Sequence, residues 1–286
     1  VWANLQEQEG QPLVNHAGAE TLPPGSIFKI ITTAAGLNNG FNPSSTLTGS
    51  NVITLPDTVT ELTNYANQKC NGQDAVTLQT AFALSCNTAF VEMSEQLGAD
   101  ELRKYAKAFG VGENYDLGVS TSAGTLGDLP DGAATAQSAI GQRDVTMTAL
   151  QAAVMAGTVA NKGTRMQPYL VNRITDAQMK DIRTTKPKKA DQAVNEETAA
   201  TLTDLMYASE RSSAGYDGNG FASKTGTAEH GEGLAPHVWY VAFDPERDIA
   251  VGVVVKNGGN LGESATGGKV SGPIGRAILR AYQGEQ

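Results

Sequence analysis

The segment PPGSIFKIITTAAG, residues 23–36, combines a rigid entry with a run of apolar residues. Its two prolines and first glycine favour an extended or turned backbone just before the apolar run. The isoleucines and alanines that follow recur at helical spacing, and Gly36 is a natural stop. We therefore predict a helix that begins at Ser26 and has its body over Ile27–Ala35.

Ser26 and Lys29 lie three residues apart in the first turn of that predicted helix, so their side chains share one face. A neutral lysine there could accept the serine proton if burial or a neighbouring positive charge lowers its pKa from about 10.4. The backbone N–H and dipole of the helix N-terminus would stabilise a developing oxyanion. The alternative is a helix-capping serine beside a surface lysine, because Ser-x-x-Lys is a common pattern.

Two further short motifs carry side chains suited to the same chemistry. Ser85-Cys86-Asn87 offers a hydroxyl and an amide that can relay a proton and hold a substrate amide. Lys224-Thr225-Gly226-Thr227 ends a β-rich run, where its ammonium and hydroxyls suit a carboxylate and its glycine leaves room for a substrate backbone. Taken singly, the first motif is better explained as a helix cap at Ser85 or Asn87, and the second as an ordinary edge strand with polar side chains.

The middle of the chain is predicted to be mainly helical, and its last third to be β-rich. Helical patterns run over residues 77–83, 87–98, 100–109, 147–159 and 195–206. Residues 37–72 read mainly as loop, and the Gly- and Ala-rich stretch 116–141 is predicted to wrap the surface. The β-rich runs 221–228, 237–243 and 249–255 predict an antiparallel meander, with a helix over 268–282 laid on it.

These elements predict an α+β fold in one domain, residues 1–286, with two lobes. One lobe is an antiparallel sheet covered by helices. The other is an all-helical lobe over roughly residues 37–210, inserted between the nucleophile helix and the C-terminal sheet.

Composition limits the possible partners. The 286 residues include 21 Lys and Arg against 30 Asp and Glu, a formal net charge of −9 that disfavours nucleic acid and anionic lipid. No run reaches the roughly 18 apolar residues of a membrane span, so the chain as given is expected to be soluble, with any anchor upstream. Cys70 and Cys86 are close enough in sequence to form a disulfide, and two buried thiols are the alternative.

The three motifs occur once each and in an order typical of the penicillin-recognising serine enzymes, which the chain resembles over nearly its whole length. Finer motifs resemble the class B penicillin-binding proteins, in their transpeptidase domain. They are Pro24-Gly25-Ser26 with Phe28-Lys29, Ile140-Gly141-Gln142, Ala160-Asn161-Lys162-Gly163, Lys224-Thr225-Gly226-Thr227-Ala228-Glu229 and His237-Val238-Trp239. The family normally has a pair of strands ahead of the nucleophile helix, and none is evident here.

The resemblance implies a role for each motif residue. Ser26 would be acylated by a D-Ala-D-Ala stem peptide, or by a β-lactam, with Lys29 as base. Ser85 and Asn87 would relay the proton and hold the amide. The terminal carboxylate would bind Lys224, Thr225 and Thr227, and the backbone N–H groups of Ser26 and Thr227 would form the oxyanion hole. An amine of a neighbouring strand would then take the acyl group and complete the cross-link.

The resemblance also implies a setting on the outer face of the bacterial cytoplasmic membrane, with an N-terminal anchor outside this chain. An oxidising setting favours a bridge between Cys70 and Cys86. A glycan-polymerising membrane protein is a possible partner. We expect no cofactor, metal or nucleic acid, and a monomeric domain.

Three other functions share the same motifs. A β-lactamase must deacylate quickly, and no convincing Glu-x-x-Asn motif for a deacylating water lies between Asn87 and Lys224. A D,D-carboxypeptidase differs mainly in that water, not an amine, attacks the acyl-enzyme. A non-enzymatic receptor domain would be acylated once by a β-lactam and would signal to a partner.

Overall fold

The computed structural model describes residues 2–8, 10–231 and 233–284. Its helices are α1 Trp2–Glu7, α2 His16–Ala19, α3 Lys29–Leu37, α4 Leu78–Ala83, α5 Asn87–Ala108, α6 Gly132–Ala139, α7 Ala149–Ala160, α8 Glu196–Ser212 and α9 Ser271–Gly284. Its strands are β1 Thr46–Thr48, β2 Val52–Thr54, β3 Glu61–Thr63, β4 Ala75–Thr77, β5 Thr164–Met166, β6 Arg173–Thr175, β7 Asp181–Thr184, β8 Lys189–Gln192, β9 Ala222–Ala228, β10 His237–Asp244 and β11 Ile249–Val255.

The predicted meander is confirmed as a three-stranded antiparallel sheet in the order β11-β10-β9. Every residue of the central strand β10 is buried, because helices cover both faces of the sheet. Trp239 belongs to the main core, whereas Tyr240 belongs to a smaller cluster with Leu279 of α9. Alternate residues of β10 thus point to opposite faces of the sheet.

Close helix packing on this sheet depends on two glycines. A Cβ at Gly275 of α9 would lie 2.3 Å from the ring of Tyr240. On the other face, a Cβ at Gly252 of β11 would lie 2.5 Å from the carbonyl oxygen of Ala149 in α7. Non-bonded atoms do not approach this closely, so any residue larger than glycine would clash at both positions. The sheet is therefore held rigidly between α7 and α9.

The α+β fold is confirmed, but residues 37–210 are not all helical. They also form four short antiparallel strand pairs, β1–β4, β2–β3, β5–β8 and β6–β7. In addition, α7 and α8 pack on the sheet, α7 against β11 and α8 against β9. The strands are short and are separated by polar turns, which explains why no continuous β pattern marks them in the sequence.

Residues 116–141 do not only wrap the surface, because they include the helix α6, which packs against α5. The side chain of Asp131 caps α6 by accepting a hydrogen bond from the Ala134 N–H at 2.7 Å. The buried residues of α6 are all Ala, Thr or Ser. Their small size permits close packing. It also gives a weak apolar pattern, so the sequence did not predict this helix.

The nucleophile segment also differs from its prediction. Ser26 lies in a 3-10 turn, Gly25–Phe28, and the α-helix begins three residues later at Lys29 and continues through Leu37. The 3-10 turn is a frequent way to begin a helix. Eight of the nine residues of α3 are buried, so this helix is the centre of the main core. Ahead of it, among the described residues, only Leu22 makes a β-bridge, to Met147.

Candidate active site

A cleft of about 910 Å³ lies along β9, at the start of α5. We call it the catalytic cleft. Its lining brings together all three sequence motifs, since Ser26, Ser85 and Asn87 face Thr225 and Thr227 across it. Strand β3 and the turn after it, residues 61–67, form another wall. Residues far apart in sequence thus meet in one place.

Backbone contacts that exclude side chains hold Ser26 against β9. Gly25 has φ +54°, and a Cβ there would lie 2.9 Å from the carbonyl oxygen of Thr227. In return, a Cβ at Gly226 would lie 2.8 Å from the carbonyl oxygen of Pro24. Glycine is therefore required on both sides of the contact. The result is that the serine turn and the strand share one rigid surface.

Two hydrogen bonds fix the same turn from behind. The Gly25 N–H donates to the carbonyl oxygen of Gly141 at 2.9 Å, which explains the Ile-Gly-Gln segment seen in the sequence. The indole N–H of the buried Trp239 donates to the carbonyl oxygen of Pro23 at 2.8 Å. In the part of the chain that the structure describes, the hydroxyl of Ser26 has no hydrogen-bond partner and faces the cleft.

Lys29 is completely buried beneath the cleft. Its Nζ donates to the carbonyl oxygen of Ser85 at 2.7 Å and to Oδ1 of Asn87 at 2.8 Å, and it lies 3.4 Å from Oγ of Ser85. Burial, and after it the charge of Lys224, lower the pKa of Lys29 well below its usual value. Burial without a carboxylate partner favours the neutral form of Lys29, the form that can accept a proton.

Lys224 is the second completely buried lysine of the site. Its Nζ donates to Oγ of Ser85 at 2.9 Å and to the carbonyl oxygen of Thr225 at 3.1 Å. Burial lowers the pKa of Lys224 to about 7. The Ser85 hydroxyl therefore lies between the two ammonium positions and can pass a proton from one side to the other.

The turn that carries Ser85 has an unusual backbone and a covalent tether. Ser85 has φ +61°, a left-handed conformation that a serine adopts only when its surroundings impose it. The next residue, Cys86, forms a disulfide with Cys70, with the two Cα atoms 5.7 Å apart. Asn87 begins α5, and its Nδ2 donates to the carbonyl oxygen of Thr63 in β3 at 3.1 Å. The turn is thus tied to two neighbouring segments.

The sequence reasoning missed a buried ion pair behind the cleft. Arg276 donates from Nε to Oε1 of Glu210 at 2.6 Å, and both side chains are almost fully buried. Arg276 also donates to the carbonyl oxygen of Ala214 at 3.0 Å and to Oγ of Ser213 at 3.1 Å, and both residues line the cleft. In the sequence, this ion pair is visible only as two charged residues at helix positions that are otherwise apolar. No short motif identifies such a pair.

Glu210 collects further donors from the sheet. It accepts hydrogen bonds from Tyr240 OH at 3.0 Å and from the hydroxyl of Ser223, the residue before Lys224. Burial alone would raise the pKa of Glu210, but hydrogen bonds from Arg276, Ser223 and Asn219 outweigh it and lower the pKa. The carboxylate thus links α8, α9 and the strand that carries the third motif.

Known proteins that are similar to this chain identify its family. A family model of the penicillin binding protein transpeptidase domain matches residues 3–280. The chain belongs to this family. Its resemblance to the class B penicillin-binding proteins is confirmed by the relatives that follow.

This transpeptidase domain has mycobacterial relatives. Peptidoglycan D,D-transpeptidase PbpA of Mycolicibacterium smegmatis is 45% identical over 290 residues, which cover 98% of this chain and 59% of that protein. The protein of the same name from Mycobacterium tuberculosis H37Rv is 42% identical over 295 residues, 100% of this chain and 60% of that protein. The chain therefore spans about three fifths of the length of these relatives.

Solved structures give the same result for the fold. Penicillin-binding protein A of M. tuberculosis, as its penicillin G acyl-enzyme complex, matches with a TM-score of 0.93 and 42% identity over 99% of this chain and 66% of that chain. Another crystal structure of PBPA from M. tuberculosis matches with a TM-score of 0.92 and 41% identity, over 99% of this chain and 66% of that chain. Across the described ranges, no helix is both long and apolar enough to cross a bilayer.

Proposed function

We propose that the chain is the catalytic part of a serine D,D-transpeptidase that cross-links peptidoglycan stem peptides through an acyl-enzyme on Ser26. The observation that carries the proposal is the pair of buried lysines, Lys29 and Lys224, on either side of the Ser85 hydroxyl in the cleft that Ser26 faces. The relatives named peptidoglycan D,D-transpeptidase support it.

In the acylation step, neutral Lys29 accepts the Ser26 proton as Oγ attacks the carbonyl carbon between the two D-Ala residues. The new Oγ–C bond forms, the C–N bond breaks, and the departing D-Ala amine takes a proton through Ser85. The backbone N–H groups of Ser26 and Thr227 stabilise the oxyanion. The contact between Gly25 and the Thr227 carbonyl supports this pairing, because it holds the two segments side by side.

Strand β9 orients the substrate. Thr225 and Thr227 are two residues apart on one strand, so both hydroxyls point into the cleft and can bind the terminal carboxylate. Lys224 is on the same strand but is buried, with its ammonium at Ser85. Its positive charge therefore attracts the carboxylate and at the same time keeps Lys29 neutral. Asn87, held by Lys29 and Thr63, presents its amide to the substrate peptide.

In the second half of the reaction, an amine of a neighbouring stem peptide attacks the acyl carbon and gives a proton to neutral Lys29. The new C–N bond forms, the bond between the acyl carbon and Ser26 Oγ breaks, and Oγ takes that proton from Lys29. We further propose that the parent protein works at the outer face of the cytoplasmic membrane, anchored by a segment outside this chain, beside a glycan-polymerising partner. The support is that its relatives act on peptidoglycan and extend well beyond the part matched here.

Intact-mass spectrometry of the protein with benzylpenicillin, followed by peptide mapping, tests the nucleophile. We expect one adduct, on Ser26, that persists for hours. Ser26→Ala should abolish it, whereas Ser212→Ala, which alters another serine of the same cleft, should leave it unchanged. Labelling of Ser26→Ala at another residue would show that the nucleophile is wrong.

The fate of the adduct separates the proposed function from the alternatives. Rapid loss of the adduct with turnover of the drug would indicate a β-lactamase. With a D-Ala-D-Ala peptide and an added amine acceptor, a transpeptidase forms the amide product, whereas release of D-Ala alone would indicate a carboxypeptidase. Stable labelling without either product would indicate a β-lactam receptor.

A further inference from the structure

Residues 169–189, which we call the basic hairpin, stand apart from the rest of the fold. They contain β6, β7 and the turn between them, and follow β5 before the chain returns into β8. None of the 21 residues is buried, and β6 and β7 pair only with each other. An isolated two-stranded hairpin is only marginally stable in water. A segment of this kind is expected where another surface completes the packing.

Large apolar side chains are concentrated on the basic hairpin. Of the 17 exposed large hydrophobic residues in the described ranges, six lie between Tyr169 and Ile182. Leu170, Met179 and Ile182 are 63%, 69% and 68% exposed. Scattered exposed hydrophobic residues are ordinary, but a local cluster of them marks an interaction site.

The basic hairpin also has the opposite charge to the rest of the chain. It carries six cationic residues against two carboxylates, a surplus of four positive charges in a chain of net charge −9. The cations are Arg173, Lys180, Arg183, Lys186, Lys188 and Lys189, and the carboxylates are Asp176 and Asp181. A partner that complements this surface must be anionic and partly apolar.

We propose that the basic hairpin docks an acidic, extended segment of another protein, which adds a strand to its free edge. Within the described residues, the outer edges of β6 and β7 have no strand partner. Strand addition would satisfy the N–H and C=O groups of that edge. Arginine and isoleucine are neighbours along each edge, Arg173 with Ile174 on β6 and Arg183 with Ile182 on β7, and so lie on opposite faces. At either edge, carboxylates of the added strand would meet the arginine and its apolar residues would cover the isoleucine.

Two other occupants fit less well. Anionic lipid would require cations and apolar residues gathered at the tip, but Asp176 and Asp181 flank the turn, and the apolar residues extend from Leu170 at the base to Met179 near the tip. Pairing with the hairpin of a second copy would bring two surfaces of the same positive charge together. An acidic protein segment avoids both conflicts.

The probe is a C-amidated decapeptide of alternating glutamate and valine that carries a fluorophore on its N-terminus. We expect saturable binding by fluorescence anisotropy, and slower hydrogen exchange confined to residues 169–189. A lysine–valine peptide of the same length should not bind. A peptide of five glutamates followed by five valines should bind at least tenfold more weakly, because alternation is what strand addition requires.

Charge reversal on the hairpin gives the matched comparison. Arg173→Glu with Arg183→Glu should weaken peptide binding at least tenfold. Lys104→Glu with Lys107→Glu, two exposed cations of α5, removes the same charge and should change it less than twofold. Ile182→Ser is a second hairpin variant. The rate of acylation by benzylpenicillin should be the same in the wild type, in both charge reversals and in Ile182→Ser, because no hairpin residue lines the catalytic cleft.

Four results would overturn the proposal. The first is that the acidic peptide does not bind saturably, and the second is that both charge reversals weaken its binding equally. The third is that the peptide slows hydrogen exchange outside the hairpin. The fourth is that the protein co-sediments with phosphatidylglycerol vesicles through the hairpin and does not bind the peptide. Hairpin-dependent self-association in analytical ultracentrifugation would likewise show that a second copy is the occupant.

Discussion

The hydroxyl of Ser85 lies 2.9 Å from the ammonium nitrogen of Lys224, although the two residues are 139 positions apart. Lys29 lies 3.4 Å from the same hydroxyl on the other side. We propose that, once Lys29 has taken the proton of Ser26, these three groups carry it to the departing amine. This path, and not any single motif, distinguishes the site from a capped helix with a surface lysine.

Ser85→Ala should therefore slow acylation by benzylpenicillin by about 10²- to 10⁴-fold, the usual contribution of a proton-transfer group. The loss should fall on the acylation step and not on initial binding, because Thr225 and Thr227 still bind the carboxylate. Stopped-flow measurements with a fluorescent penicillin separate the two steps. Ser212→Ala is the control, and an equal effect of both substitutions would show that Ser85 has no specific role.

The rate of acylation should fall as the pH rises above about 7. Burial lowers the pKa of Lys224 to about 7, so its positive charge is present below that pH and is lost as the pH rises through it. Loss of the charge removes the attraction for the carboxylate. Burial still lowers the pKa of Lys29, but the smaller contribution from Lys224 is lost, so that pKa rises. In Lys224→Met the maximum rate should be lower and this descending limb absent. A limb that persists unchanged in the variant would assign it to another group.

Much of this site could be predicted from the sequence because its motifs are local. Ser26 with Lys29, and Thr225 with Thr227, are each fixed by helix or strand periodicity within a few residues. The meander was predictable for the same reason, since its β-rich runs are separated by polar turns. The geometry that joins Ser85 to Lys224 depends on the tertiary fold and has no local pattern.

Other parts could not be predicted from short patterns. Glu210 and Arg276 are 66 residues apart, and only the folded structure shows that they pair. The helix α6 was hidden by its small buried residues, and the cleft wall at residues 61–67 lies in a segment of loops and very short strands. In each case tertiary packing, not local propensity, determines the structure.

The disulfide should matter for both stability and catalysis. Cys86 is the residue between Ser85 and Asn87, so its bond to Cys70 restrains the turn that holds both side chains at Lys29. Closing a loop with 16 residues of separation stabilises a protein by about 3 kcal/mol. Cys70→Ser with Cys86→Ser should lower the free energy of unfolding by about that amount and slow acylation of the folded fraction.

Cys70→Ser alone supplies the control for reduction. The oxidised wild type should lose activity with a reductant, whereas this variant should be insensitive to it. Equal acylation rates in the wild type with and without reductant, each checked for free thiols, would show that the disulfide does not position the turn.

Glu210→Gln should be the most destabilising of these substitutions. It leaves Arg276 buried without its anionic partner, a change that typically costs about 3–5 kcal/mol. Glu101→Gln, which alters a more exposed pair with Lys104, should cost under about 1 kcal/mol. Urea unfolding at pH 7 measures both.

The effect of Glu210→Gln on stability should depend on pH. Hydrogen bonds hold the pKa of Glu210 below its usual value, so its contribution is present above the unfolded pKa and is lost as the pH falls through the folded one. The gap in stability between wild type and Glu210→Gln should therefore narrow on acidification from pH 6. If the gap stays constant down to pH 3, the buried carboxylate does not carry the charge that holds Arg276, and the cleft wall at Ser213 and Ala214 must be fixed by packing alone.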